Sequence, residues 1–329
     1  MRVFVTGATG HIGAWLVAEL ENKGYEVVVG VRNPNKAKFL ESNNCSIATC
    51  ELSDVNALAA AMKDCTMVFH LAAFAAVWAK DPSLFERTNT QGTENVLKAA
   101  NLAGVKRVLV CSSAGNFGPS REGVVTENTN RKLPFFNEYE RTKSAADEIA
   151  LGFLPHLEIV IVYPTRVYGP VKHGEPAALT LLISRIVRDH FRWIPTLGNK
   201  IGNYVYVQDV ACGMISAAEK GRSGEKYILG GENTTLVQFY HAVRKKANLN
   251  LRYFHIPMFM IRFILFLEQI GTVFGRKPRL TKDWLAKIVY DYKVSSEKAE
   301  KELGYSSRSI ESGLEITIHA LHARAANVG

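Results

Sequence analysis

Thr6-Gly7-Ala8-Thr9-Gly10-His11-Ile12-Gly13 decides how this 329-residue chain is read. The stretch follows an apolar run, Val3-Phe4-Val5, and opens a segment of helical periodicity, Ile12–Lys23. Its glycines are spaced GxxGxxG, and between a strand and a helix each has its own task. Gly7 permits the tight turn, Gly10 removes a Cβ where the backbone must approach a pyrophosphate, and Gly13 lets the helix pack close to the strand. The helix N-terminus offers free N–H groups and the positive end of its dipole to that anion. A dinucleotide is therefore expected against Gly7, Thr9, Gly10, His11, Ile12 and Gly13.

Outward from the turn, short apolar runs alternate with helical patterns. Strands are predicted at Val3–Val5, Glu26–Val31, Ser46–Cys50, Met67–His70, Val108–Ser112 and Glu158–Tyr163. Helices are predicted at Ile12–Lys23, Val55–Met62, Ser83–Ala103 and Glu138–Phe153. This alternation means parallel strands joined by right-handed crossovers, and the continuous apolar strands fit a sheet covered on both faces. The fold class is α/β, a doubly wound parallel sheet of the Rossmann kind. After Pro164 the pattern loosens. A strand at Tyr204–Val207, a helix at Gln208–Lys220 and a strand at Tyr227–Leu229 return to the sheet, and from Thr235 the chain is mostly helical. Residues 1–168 and 201–230 are assigned to the dinucleotide domain, and 169–200 and 231–329 to a smaller, mostly helical substrate lobe.

Composition bounds the classes. The chain is 47% hydrophobic and 22% charged, as globular proteins are. Cys45, Cys50, Cys65, Cys111 and Cys212 have neither CxxC nor zinc-site spacing, and read as reduced thiols. Met1–Val5 reads as a strand rather than a targeting segment, and no apolar run is long enough for a membrane span, so a cytoplasmic location is expected. The net charge of +9 is concentrated late, at Arg244, Lys245, Lys246, Arg252, Arg262, Arg276, Lys277, Arg279, Lys282 and Lys287. No nucleic-acid motif lies among them, and no nucleic-acid partner is expected. A solvated surface is one reading, and attraction for an anionic membrane surface or cofactor the other.

The residues after the second predicted strand bear on the choice of cofactor. Val31-Arg32-Asn33-Pro34-Asn35-Lys36-Ala37-Lys38 carries no acid to accept from a ribose 2′-OH. The Arg32 guanidinium can pair with a 2′-phosphate, Asn33 can donate to it, and Lys36 can add charge; Lys38 is expected in solvent. This predicts NADP(H), against the plainer reading of a wet loop.

Tyr139 and Lys143 stand four apart, on one face of a helix. A phenol ordinarily titrates near 10. A nearby ammonium, with an oxidised nicotinamide, favours the phenolate and lets Tyr139 exchange a proton with a carbonyl oxygen. Cys111-Ser112-Ser113-Ala114-Gly115 ends a strand at the carboxyl edge of the sheet, where open α/β folds bind ligands.

Together these pieces resemble the extended short-chain dehydrogenases/reductases, the NAD(P)-dependent epimerase/dehydratase superfamily. TGATGHIG, Phe69-His70-Leu71-Ala72-Ala73, Thr88-Asn89-Thr90-Gln91-Gly92-Thr93 and Tyr163-Pro164-Thr165-Arg166-Val167-Tyr168-Gly169-Pro170 match its motifs in order. So do Val207-Gln208-Asp209-Val210 and the late run from Ser296 to Tyr305. The branch most resembled holds dihydroflavonol 4-reductase and 3β-hydroxysteroid dehydrogenase. The resemblance implies that Ser113 orients the reacting oxygen, Tyr139 is the acid, and Lys143 tunes it and holds the ribose. It implies that Asn89 supports a proton relay through a water beside Lys143. It places Glu51 and Leu52 near the adenine, Leu71, Ala72 and Ala73 along the cofactor, and Tyr163, Pro164, Thr165 and Val167 beside the nicotinamide. It also implies a homodimer. Three departures stand out: Asn116-Phe117-Gly118 for VYG, Thr142 for serine, and Glu51 for aspartate.

Three functions are carried forward. The first is an NADPH-dependent reductase of a bulky, apolar carbonyl small molecule. The second is a sugar-nucleotide epimerase or dehydratase, with Arg185, Arg188 and Arg192 on a second pyrophosphate. The third is a non-catalytic NADP sensor. The apolar run 256–274 is a buried helix, a pocket wall or a peripheral membrane contact.

Overall fold

β1 (Arg2–Thr6) lies in the interior of the main sheet. In the computed structural model, which describes all residues except 77, 122, 196–197, 251–252, 274–275, 277, 279–284, 287–288 and 327–329, it pairs in parallel with β2 (Glu26–Val31) on one side. Between them runs α1 (His11–Asn22). β3 (Cys45–Thr49) extends the sheet beyond β2, α2 (Val55–Ala61) crosses back, and β4 (Met67–His70) pairs with the other side of β1. Next come α3 (Ser83–Phe85), a wide turn and α4 (Gly92–Leu102), then β5 (Arg107–Cys111). α5 (Glu138–Gly152) and β6 (Glu158–Pro164) follow. Then come β7 (Arg166–Tyr168), α6 (Ala178–Arg188), β8 (Trp193–Pro195), β9 (Ile201–Tyr206), α7 (Val207–Lys220) and β10 (Lys226–Leu229). The last elements are β11 (Glu232–Thr235), α8 (Leu236–Lys246), β12 (Phe254–Ile256), α9 (Met258–Val273) and the helices Glu297–Leu303 and Ile310–Ala326.

The main sheet has seven strands in the order β10-β6-β5-β4-β1-β2-β3, all parallel. Two apolar layers cover it. On one face α1 and α7 pack together over Val3, Val5, Val27 and Val29. On the other, α2, α4 and α5 bury Phe4, Val28, Val68 and Val108. Leu16, Val17 and Leu20 of α1 are fully buried; each contributes about 1.5–3 kcal/mol. The expected α/β class is thus the observed one.

Two expectations differ. The helix predicted over Ser83–Ala103 is interrupted by a π-helical turn, Glu86–Gln91, whose side-chain bonds hold it open. The strand predicted at Tyr204–Val207 exists as β9, but it does not return to the main sheet. It pairs with β7 and β11 in a separate three-stranded sheet. Of residues 201–230, α7 packs on the main sheet and β10 completes it. The small lobe has its own core, in which Tyr168, Tyr204, Phe239 and Leu314 are buried. Arg252, Phe274, Lys277, Arg279, Lys282 and Lys287 lie outside the described residues. Among the others of the basic run, Lys245 and Lys246 pair with Glu311 and Glu315 on the last helix.

Candidate active site

The glycine turn has the geometry its spacing requires. Gly7 has φ +73°, and a Cβ there would lie 2.6 Å from the Ala72 nitrogen. A Cβ on Gly13 would lie 2.2 Å from the Gly7 carbonyl oxygen. Gly10 is different: in the protein a Cβ would meet only the Gly7 oxygen, at 3.2 Å. No packing contact demands glycine there, which fits a position reserved for close approach of a ligand. α1 has no side-chain cap, so its first N–H groups are free for an anion. His11 is half-buried, its Nδ1 accepts from the Ala177 N–H at 3.2 Å, and its Nε2 is buried without a partner among the described residues. Burial lowers its pKa, against the Pro170 and Gly169 backbone. The turn fits a dinucleotide pyrophosphate.

The segment Gly169–Ala177 reaches over this turn from the small lobe. The Trp15 indole donates to the Pro170 carbonyl at 2.8 Å, and Lys172 lies 4.5 Å from the Trp15 ring centroid. His173 stacks on Phe39 at 3.8 Å, and a Cβ on Gly174 would touch the Thr9 oxygen. Arg32, directly after β2, is exposed and makes no hydrogen bond or ion pair among the described residues. Asn33 accepts from Asn35 N–H through its Oδ1 and so shapes its own turn, which keeps its Nδ2 as the donating group. Lys36 and Lys38 are exposed. Glu51 is exposed and accepts from the Ser53 hydroxyl at 3.5 Å, while the Leu52 carbonyl accepts from Asn95 at 2.9 Å.

Behind Leu71, Ala72 and Ala73 runs a largely buried chain of hydrogen bonds centred on His70. The Ala72 N–H donates to Thr6 Oγ1 at 3.2 Å, and that oxygen lies 2.8 Å from His70 Nδ1. His70 Nε2 lies 2.9 Å from Thr93 Oγ1, which donates to the Asn89 carbonyl at 2.6 Å. Thr93 spends its proton on Asn89, so His70 Nε2–H donates to Thr93; Thr6, whose proton is unspent, can donate to Nδ1 of the neutral His70 ring. Burial first, and Lys143 second, push its pKa down to about 3.

The Asn89 side chain is committed to neighbouring groups. Its Oδ1 accepts from the Phe74 N–H at 2.7 Å and its Nδ2 donates to Thr142 Oγ1 at 3.0 Å. Both ends are committed because the π turn rotates the amide into the gap between the Phe74 segment and α5. It anchors Thr142, the residue before Lys143.

α5 begins with Asn137 as its cap, accepting from the Glu140 N–H at 2.7 Å. Tyr139, Lys143 and Asp147 follow at steps of four and share one face. Lys143 is 1% exposed. Tyr139 is half-buried, with the Ser113 hydroxyl turned toward it. Burial raises its pKa, with Cys111 adding to the rise and Ser113 opposing it. Loss of water around the ring disfavours the phenolate, which needs its hydration.

Asp147 was not anticipated. It is buried, and its Oδ2 accepts from Ser112 Oγ at 2.9 Å, Asn116 Nδ2 at 2.8 Å and Tyr163 Oη at 2.9 Å. Burial raises its pKa; Lys143 opposes the rise most, then these hydrogen bonds. The network sorts the two serines: Ser112 faces Asp147, and Ser113 faces Tyr139 while its Oγ accepts from the Gly115 N–H at 3.3 Å. It also withdraws the Tyr163 side chain from direct ligand contact, because the ring is 1% exposed and its hydroxyl is committed. Pro164 closes β6 against Leu229, Thr165 Oγ1 donates to Asn203 at 2.7 Å, and Val167 lies in β7. The only sequence signal for Asp147 is the second step of four from Tyr139 along α5.

A second unanticipated group is Arg131. It donates to the carbonyls of Leu133 at 2.7 Å, Gly115 at 2.6 Å and Pro134 at 2.8 Å, and to Glu140 Oε2 at 2.8 Å. Gly115 follows Ser113 by two residues, and Glu140 adjoins Tyr139. The guanidinium thus clamps the serine turn to the start of α5. Loop residue 131 has no periodic neighbour that would mark it in the sequence.

Glycine turn, strand-end serines and the tyrosine–lysine helix lie on one sheet, as in a nicotinamide-dinucleotide enzyme of the extended short-chain dehydrogenase/reductase type. The chain belongs to the NAD dependent epimerase/dehydratase family, whose model matches residues 3–230. It is similar to the 4-hydroxy-2-methyl-3-oxo-4-farnesyl-3,4-dihydroquinoline-1-oxide ketoreductase of Stigmatella aurantiaca, 29% identical over 94% of this chain and 92% of that protein. Dihydroflavonol 4-reductase of Dianthus caryophyllus is 27% identical over 74% of this chain and 73% of its own. A solved UDP-glucose 4-epimerase from Thermotoga maritima shares the fold, with a TM-score of 0.81 at 23% identity, covering 99% of this chain and 100% of that one.

Proposed function

We propose that the protein is an NADPH-dependent reductase of a bulky, largely apolar ketone. The observation that carries this reading is Ser113 turned toward Tyr139, on the helix face that also holds Lys143. Bound NADPH supplies the hydride. Ser113 Oγ donates to the carbonyl oxygen and holds it within reach of Tyr139. Tyr139 Oη gives its proton to that oxygen as negative charge develops there, so carbonyl, hydride and proton become an alcohol. The raised phenol suits an acid that must be protonated before the transfer. Lys143 holds the ribose and favours the resulting phenolate. Leu71, Ala72, Ala73, Pro164, Thr165 and Val167 line the cofactor through small or apolar groups and main chain, and Arg32 and Lys36 select its 2′-phosphate. Relatives named as ketoreductase and dihydroflavonol 4-reductase support the ketone class.

The sugar-nucleotide reading asks Arg185, Arg188 and Arg192 to hold a second pyrophosphate. Arg188 already donates to the Leu321 carbonyl at 2.8 Å, which weakens that reading. The experiment is a screen of apolar ketones and of UDP- and dTDP-sugars, following nicotinamide absorbance, with wild type and Tyr139→Phe. Turnover of a ketone is expected to fall by about 10²–10⁴-fold in the variant, with NADPH affinity retained. Unchanged turnover in Tyr139→Phe, or activity on the sugars alone, overturns the assignment.

A further inference from the structure

The described residues include a helix whose apolar side faces outward. α9 has the sequence MFMIRFILFLEQIGTV. Ile261 and Leu265 are its buried side chains, 2% and 7% exposed. Phe259, Phe263, Phe266 and Ile270, at i, i+4, i+7 and i+11, form an exposed stripe, with Met260 and Leu267 along its edge. At about 100° per residue these six fall within roughly a third of the circumference. Phe259 is 71% exposed and Phe263 61%. Of the three readings of 256–274, the fully buried helix is not the one observed, because its largest rings are in solvent.

The neighbouring β8–β12 pair repeats the feature. Trp193 and Phe254, side by side in parallel strands, are 51% and 50% exposed with ring centroids 5.3 Å apart. The chain passes from β12 into α9 through Pro257. Charge around these rings is one-sided. Arg192, His255 and Arg262 are exposed. Among the described residues of β8, β12 and α9 the one carboxylate is Glu268, about 140° around the helix from the stripe.

We infer that α9 and the Trp193–Phe254 pair dock the protein on an anionic lipid surface, with α9 lying in the plane of the interface. Aromatic and aliphatic side chains enter the headgroup boundary, and the arginines beside them meet lipid phosphates. At about 1.5 Å per residue its 16 residues span roughly 24 Å, short of a hydrocarbon core of about 30 Å, so the helix lies on the membrane rather than crossing it. No described helix is long and apolar enough to cross. A second copy of this chain fits the patch less well. A two-fold contact would gather two copies of Arg192, His255 and Arg262 in one interface, with Glu268 the one acid among the described residues of these elements. The inference does not depend on the proposed reaction.

The test uses the full chain and extruded vesicles, of phosphatidylcholine alone or with 30% phosphatidylglycerol, separated by flotation. Binding is expected to the anionic vesicles, about tenfold weaker to the neutral ones, and reduced but not abolished in 0.5 M NaCl. Phe263→Glu/Phe266→Glu, on the solvent side of α9, is expected to lower vesicle binding at least tenfold while keeping NADPH affinity and thermal midpoint. Arg262→Glu is expected to lower only the anionic preference. Failure of the wild type to float with anionic vesicles overturns the inference. So does a dimer by sedimentation velocity that the double variant dissolves while flotation is unchanged.

Discussion

His70 joins two ends of the site through protons alone. Burial keeps it neutral within the chain from Ala72 to Asn89, pushing its pKa to about 3 from an ordinary 6.5. In the unfolded chain it takes a proton below pH 6.5, and in the folded protein not until about pH 3. The stabilisation is fully present above 6.5 and is lost as the pH falls from there toward 3, by up to about 1.4 kcal/mol per pH unit. Urea unfolding at pH 7 and pH 5 is expected to show that slope in the wild type and a shallower one in His70→Asn. Equal slopes would exclude the buried neutral state. Arg32 yields the second residue-scale expectation. A charge-assisted pair with the 2′-phosphate contributes about 1.5–3 kcal/mol, so Arg32→Ala is expected to lose roughly 10–100-fold of NADPH affinity and little for NADH. Titration of both cofactors into both proteins measures it; a preference unchanged in the variant sinks the assignment of the loop.

Elements are placed by contacts that sequence patterns record unevenly. The main strands are legible because Val- and Ile-rich runs such as EVVVGV and EIVIVYP are buried on both faces. β11 is Glu-Asn-Thr-Thr, polar and half-exposed, and carries no apolar signal; β8 and β12 are three residues each. The π turn leaves no trace either, since it depends on where Asn89 finds partners. In the site, glycines, tyrosine and lysine are legible from spacing, whereas Arg131 is not, because three of its four acceptors are backbone carbonyls. Its clamp between the serine turn and α5 carries the prediction at this scale. Arg131→Lys keeps the charge but cannot reproduce the fork. It is expected to lower kcat about 10²-fold through misplacement of Ser113 against Tyr139, with NADPH affinity unchanged. Steady-state kinetics beside a cofactor titration separate that from general loosening, which would weaken both.

At the scale of the whole molecule, the chain leaves the main sheet after β6, builds β7, α6 and β9 of the smaller lobe, and only then returns with α7 and β10. The β10–β6 pairing joins Lys226–Leu229 to Ile161–Pro164, and the family match ends at residue 230, one position after that strand. This interleaving explains why the lobes are hard to separate by sequence position alone. It also has a consequence for how the chain is made. As residues emerge in order, β6 stands at the margin of a six-stranded sheet, its apolar EIVIVYP row of N–H and C=O groups unpaired, until some sixty more residues have left the ribosome. Such an edge is a template for pairing with another nascent chain. A fragment cut at residue 168, however natural as a domain boundary, keeps that edge open permanently.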